Sequence, residues 1–313
     1  MPALSYDPTV LRLAAGTFGF LTTASGVGFL LGRRTADAGE AVRRTIANLN
    51  ARLRAWWVIV TLCTLALLFG QVGAAILFGL VSFQALREFV GVIPTDEAEH
   101  PMLINLIFTL LQYGFVARGW YPLFSIFPPV AIFLFVPMCA LCRGAGGNFL
   151  ARVATMQWGL MICVYFVSHA PALLSLPVAN GGAGLLAFFI LVVQLSDVFQ
   201  YIWGKLLGRH QIAPRLSPSK TWEGLLGGAG TATAVGTALW WVTPFTPVQA
   251  AGMSLAITLF GFAGGLMMSA IKRDRGLKDF GTLIEGHGGV LDRIDSVCFA
   301  APAFYYLTRY FFT

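Results

Sequence analysis

The sequence predicts an all-α, polytopic helical membrane protein of about ten transmembrane helices, eight to ten of them true spans, with the N-terminus outside. Three observations predict it. Of 313 residues, 57% are hydrophobic and only 11% are charged, too little charge to cover a soluble domain of this size. Apolar runs near twenty residues recur along the chain, the length that crosses a bilayer as a helix. The cations gather in alternate connections between those runs, as the positive-inside rule requires.

The ten runs follow in order. The first, 10–32, has no basic flank before it and no clear small-residue cleavage site. It is also longer than a typical signal-peptide core, so it reads as a retained helix. Runs 55–70 and 102–117 are short, which suits tilted, partly buried or re-entrant helices. Runs 72–92, 120–141, 153–175, 183–204, 224–242, 249–271 and 296–312 complete the set. With the N-terminus outside, connections 33–54, 93–101, 142–152, 205–223 and 272–295 face the cytoplasm. They and their adjoining helix ends carry eighteen of the 21 Lys and Arg residues, leaving Arg12, Arg118 and Arg309 for the other side. The chain divides into N-terminal transmembrane helices, 1–189, and a C-terminal catalytic transmembrane region, 190–313, with cytoplasmic loops 205–223 and 272–295.

Several features have plain structural explanations. The cysteines (63, 139, 142, 163 and 298) are odd in number, and the Cys139–Cys142 pair has no second pair to complete a zinc site. They read as packing thiols. Residues 33–54 form a basic amphipathic stretch suited to anionic headgroups. Gly204/Gly208, Gly224/Gly228 and Gly261/Gly265 have the GxxxG spacing of closely packed helices.

Chemistry concentrates in residues 269–296, where five bases and five acids stand together. Asp292 and Asp295 are three apart and share a face of the last helix. Two carboxylates opening a membrane helix repel unless a cation lies between them, so they are candidate metal ligands, with Asp279 a third. Gly286-His287-Gly288-Gly289 can approach a phosphate closely, although glycines also make ordinary turns. A second polar island spans 197–224. It holds Asp197 and Tyr201 on an apolar helix, then Arg215, Ser217, Ser219, Lys220 and Thr221 in a loop suited to phosphate, or to an ordinary basic inner loop. Glu223 follows as a first-turn acid or a metal-shell group.

These residues resemble the phosphatidate cytidylyltransferase (CDP-diacylglycerol synthase) family. Ser269, Lys272-Arg273, Lys278-Asp279, His287-Gly288-Gly289 and Asp292-Arg293-Ile294-Asp295 stand at the spacing of that family's C-terminal signature. Asp197, Tyr201, Gly204 and the run Ser217 to Gly224 are similar to its upstream motif, and Arg87-Glu88-Phe89 resembles an Arg-Glu-aromatic element of an earlier span. The chain departs from the family where it has Gly265 for an Asp and Met268 for a Glu, which identifies it as a divergent member.

The resemblance implies transfer of a cytidylyl group from CTP to phosphatidic acid in phospholipid biosynthesis, giving CDP-diacylglycerol and pyrophosphate. It implies a Mg²⁺ cofactor, optionally with a monovalent cation, held by Asp292, Asp295 and Asp197. Asp292, Asp295, Asp279, Lys272, Arg273, Lys278 and His287 are the expected catalytic residues. Ser217, Ser219, Lys220, Thr221, Glu223, Tyr201, Ser269, Gly288, Gly289 and Arg293 are the expected substrate-binding residues. The expected partners are CTP, phosphatidic acid, the bilayer and a second copy in a homodimer, with no nucleic acid. The expected location is the bacterial inner membrane, with the site facing the cytoplasm. The departures at 265 and 268 keep open another lipid-phosphate acceptor or a non-catalytic scaffold. A transporter is disfavoured because the polar residues cluster at one face rather than along a path.

Overall fold

The computed structural model describes residues 8–34, 39–92, 102–142, 149–179, 181–281 and 288–313. It is nearly all helix. The helices are α1 (Pro8–Arg34), α2 (Glu40–Leu68), α3 (Gly70–Gly91), α4 (Met102–Arg118), α5 (Tyr121–Cys142), α6 (Phe149–Leu160), α7 (Val167–Ala172), α8 (Gly182–Leu207), α9 (Trp222–Ala238), α10 (Pro247–Asp274) and α11 (Leu291–Phe312). A π-helical segment, Met161–Phe166, joins α6 to α7 in one continuous rod. Each of the ten apolar runs lies along a helical rod.

Among the described residues, six helices are long and apolar enough to cross a membrane: Leu11–Arg34, Gly70–Gly91, Tyr121–Cys142, Phe149–Ser175, Gly182–Leu207 and Pro247–Asp274. The protein is therefore an integral membrane protein. The other four rods fall short of that standard for identifiable reasons. The apolar part of α2 is only Trp56–Leu68. Helices α4 and α9 have 17 residues each. Helix α11 has Asp292, Arg293 and Asp295 within its first five residues.

Local chemistry sets the helix ends nearest the polar face. Thr246 begins α10 with a reciprocal capping box to Gln249, and Pro247 occupies the first turn, where its missing N–H costs nothing. Thr221 caps α9 by accepting from the Gly224 N–H at 3.1 Å. Between α8 and α9 the chain forms an antiparallel hairpin of β1 (Gln211–Ala213) and β2 (Ser217–Thr221). The sequence alone predicts a loop here. Strands of three and five residues, with Pro214 in the turn between them and Pro218 inside β2, carry no alternating pattern long enough to announce a strand.

The core lies between α3, the α6–α7 rod, α8, α10 and α11. Phe188 and Phe189 of α8 stack on Phe304 of α11, with ring centroids 6.0 and 5.6 Å apart. With hydrocarbon rather than water outside, such packing, not the hydrophobic effect, holds the helices together. The GxxxG glycines divide on inspection. An added Cβ at Gly224 would stand 2.8 Å from the Gln200 carbonyl, so this glycine admits α8 to close contact as its spacing implies. Gly264, outside the GxxxG spacing, does the same for α11, since a Cβ there would stand 2.6 Å from the Asp295 carbonyl. Gly265 does not face a helix backbone at all, but the side chain of Lys220.

Candidate active site

Helix α11 begins at the centre of the polar face, and carboxylates organise its first turn. Asp292 is 4% exposed and pairs with Lys272 of α10, 13% exposed, at 2.8 Å. Its second oxygen accepts from the Phe280 N–H at 2.9 Å and the Gly289 N–H at 3.0 Å. Gly288 carries a positive φ of 77°, as the tight turn before the helix requires. Asp292 is thus a latch that closes the segment entering α11. A buried ion pair of this kind contributes little net stability intact, yet losing one partner costs about 3–5 kcal/mol. Lys272→Met should accordingly lower the thermal midpoint sharply in detergent, while Lys278→Met, at an exposed position, should leave it unchanged.

The second carboxylate pair lies one turn deeper. Asp197 of α8 and Asp295 of α11 share the Ser296 hydroxyl, at 2.7 and 3.3 Å. The Ser296 N–H also donates to Asp295, at 2.8 Å. One hydroxyl has one proton, so it cannot neutralise two carboxylates. Lys220 of β2 supplies nearby positive charge. Its ammonium rests over the Phe262 ring at 4.7 Å, and a Cβ at Gly265 would stand 2.6 Å from its Nζ and 3.7 Å from Asp295 Oδ2. Burial pushes the Lys220 pKa down, and the Asp295 and Asp197 carboxylates oppose that shift. The lysine tip therefore fills the space vacated where this chain has Gly265.

The hairpin that carries Lys220 is fastened at both ends. Glu223 accepts from the Arg209 and His210 N–H groups at 3.1 and 3.2 Å and contacts His210 Nδ1 at 2.6 Å. At the tip, Arg273 Nε donates to the Leu216 carbonyl at 3.2 Å and its Nη1 to the Leu277 carbonyl at 3.0 Å.

The expected site residues divide accordingly. Asp197, Asp295, Lys220, Lys272 and Asp292 come together. Glu223, Arg273 and Thr221 are committed to holding the hairpin and the start of α9. Ser269 donates to the Gly265 carbonyl of its own helix at 2.7 Å. Ser219, Tyr201, Lys278, Asp279 and Arg293 are exposed around the rim, and Ser217 is half-buried at the base of β2. His287 lies outside the described residues. Glu88 of α3 also reaches this site, accepting from the Val290 and Leu291 N–H groups at 3.0 and 2.9 Å. Glu88 belongs to the Arg87-Glu88-Phe89 element of the resemblance but has no place among the expected catalytic, binding or metal residues, although a lone acid within an apolar span is itself a functional signal. The site therefore extends beyond residues 190–313.

The three expected metal ligands stand in two places. Among the described residues, no three His, Cys, Asp or Glu side chains form a metal-binding group. Asp292 is turned to its latch instead. A Mg²⁺ ion, however, usually takes one or two carboxylates and completes its shell with water and substrate phosphate oxygens. Asp197 and Asp295, sharing the Ser296 hydroxyl, fit that hard-oxygen donor set.

Residues 50–311 match the cytidylyltransferase family. The chain is 38% identical over 269 residues to the uncharacterized protein YnbB of Escherichia coli, covering 84% of this chain and 88% of that one. It is 38% identical over 123 residues to the phosphatidate cytidylyltransferase of Staphylococcus aureus, covering 39% of this chain and 47% of that protein. It is 42% identical over 134 residues to the phosphatidate cytidylyltransferase of Mycobacterium leprae, covering 42% of each. The matched region thus spans less than half the length of either phosphatidate cytidylyltransferase. With the match extending over most of its length, this chain belongs to the cytidylyltransferase family of nucleotidyltransferases.

Proposed function

We propose that the protein transfers a cytidylyl group from CTP to phosphatidic acid at the cytoplasmic face of a bacterial inner membrane. The products are CDP-diacylglycerol and pyrophosphate. One observation carries the reading: Asp197 and Asp295 share the Ser296 hydroxyl beside Lys220, and the Lys272–Asp292 pair opens the same helix, at one end of a bundle of apolar helices. That arrangement suits a reaction between two phosphates at a membrane surface. The positive-inside pattern supports ten spans, an external N-terminus and a cytoplasmic site.

The chemistry asks little of nucleophilic side chains. The acceptor phosphate, with a second pKa near 6, is already largely dianionic at neutral pH. Its oxygen attacks the α-phosphorus of CTP, a P–O bond forms, and the bond to the β-phosphate oxygen breaks as pyrophosphate leaves. What the protein must supply is alignment and charge neutralisation. Lys220 and Lys272 neutralise phosphate oxygens. Asp292 fixes Lys272 and the loop before α11. Asp197 and Asp295 would hold Mg²⁺, which when bound neutralises the triphosphate and the leaving pyrophosphate. The exposed Lys278 and Arg293 are placed to meet headgroup and nucleotide phosphates at the rim. The acyl chains stay in the bilayer.

The test uses purified protein in mixed micelles with phosphatidic acid, Mg²⁺ and α-labelled CTP, following label into the organic phase. The expected result is transfer that needs both phosphatidic acid and Mg²⁺ and stops on chelation. Transfer only to another lipid phosphate would establish the second reading, which Gly265 and Met268 leave open. Absence of transfer with every lipid phosphate, in folded protein, would overturn catalysis. A further expected result concerns Gly265→Asp. An added Cβ there presses on the flexible tip of Lys220 and stands at an ordinary 3.7 Å from Asp295 Oδ2, so the protein should fold. The added carboxylate should lower the Mg²⁺ concentration for half-maximal turnover by about tenfold. An unchanged Mg²⁺ dependence would count against metal binding beside Asp295.

A further inference from the structure

We infer that Glu88, in the N-terminal half of the chain, is a positioning residue that sets the register of the catalytic helix α11. A helix start leaves N–H groups without intrahelical partners. Val290, at the start of α11, supplies no side-chain cap. The Glu88 carboxylate takes that role from another helix, with Oε1 accepting from Val290 N–H at 3.0 Å and Oε2 from Leu291 N–H at 2.9 Å. These contacts bridge 202 and 203 residues of sequence. The negative carboxylate also lies at the positive end of the α11 dipole. Gln84, one turn earlier on α3, donates to Glu88 Oε1 at 3.3 Å and steadies it.

The surroundings are shaped for this carboxylate. An added Cβ at Gly289 would collide with Glu88 Oε2, and one at Gly281 would stand 3.1 Å from its Cδ. Two glycines from the segment preceding α11 thus make room for one side chain of α3. Phe89 adds a ring contact to Phe280 at 6.3 Å between centroids. Glu88 touches none of the carboxylate pair itself. It acts through the start of α11, where Asp292 and Asp295 project within the next turn and a half. A shift of that start moves Asp295 relative to Asp197 and Lys220. The N-terminal helices therefore complete the site rather than merely anchor it.

This inference rests on the transfer reaction proposed above, so its test needs a readout besides turnover. Full-length Glu88→Gln replaces one acceptor oxygen by an amide NH₂ that faces a backbone donor. In the micelle assay kcat should fall by about 10- to 100-fold, with the KM for CTP changed little, as when a supporting residue is lost. By hydrogen exchange, amide protection should drop at Phe280, Val290 and Leu291 while the middle of α3 and α10 keeps its protection. If Glu88→Gln does not fold, Glu88→Asp, which keeps the charge but withdraws it by one methylene, takes its place in both measurements. A wild-type kcat in the variant would overturn the inference, as would exchange unchanged at Val290 and Leu291 or loosened uniformly throughout the bundle. If the unmodified protein transfers no label, the proposed reaction is at fault. The exchange pattern alone then decides whether Glu88 sets α11.

Discussion

Asp295→Asn should reduce cytidylyl transfer by at least about 10²–10³-fold, the scale of removing one preorganised electrostatic group from a reacting centre. The substitution is chosen to separate chemistry from folding. Asparagine keeps an oxygen that can accept from the Ser296 N–H, now 2.8 Å from Asp295 Oδ1. It loses only the charge and the second carboxylate oxygen. The thermal midpoint in detergent should therefore stay close to that of the unmodified protein, and membrane insertion should be unaffected. Turnover at the unmodified rate would remove Asp295 from the reacting centre and leave Asp197 without its partner. Loss of rate together with loss of fold would show only that the charge is needed for packing, and Asp197→Asn would then distinguish the two roles.

Lys220→Met should be nearly as severe, lowering turnover by about 10²-fold or more. Methionine keeps the length of the stem and its contact with the Phe262 ring, where the ammonium now rests 4.7 Å from the centroid. The loss then isolates the positive charge beside Asp197 and Asp295. Lys220→Arg should fail as well, because the tip occupies a space of side-chain size beside Gly265 and a guanidinium fork is larger and planar. Full activity in Lys220→Arg would mean that the position needs only charge. Full activity in Lys220→Met would mean that Lys220 does not face substrate phosphate.

Legibility differed between the fold and the site. The helical rods were readable because membrane helices announce themselves by length and apolar content, both local properties. The hairpin between α8 and α9 was not readable, because its strands are short and hold their place through Glu223 and Arg273 rather than through their own pattern. The importance of Asp292 and Asp295 could be read from their spacing and from the resemblance. Their division of labour could not. Both are acids on one helix face, and only their neighbours make one a latch on Lys272 and the other a partner of Asp197.

The sequence by itself determined that the chain is a helical membrane protein and that its candidate site residues gather in 197–224 and 269–296. It also determined the family to which those residues belong. Composition, run length and motif spacing are properties of short stretches, so they survive without coordinates. Only the tertiary structure decided that Lys220 fills the space at Gly265, that Asp197 pairs with Asp295 through Ser296, and that Glu88 caps α11. Each of these depends on where helices distant in sequence cross. That crossing is set by the close approach of small residues such as Gly224 and Gly264 and by side-chain packing, which local periodicity does not encode.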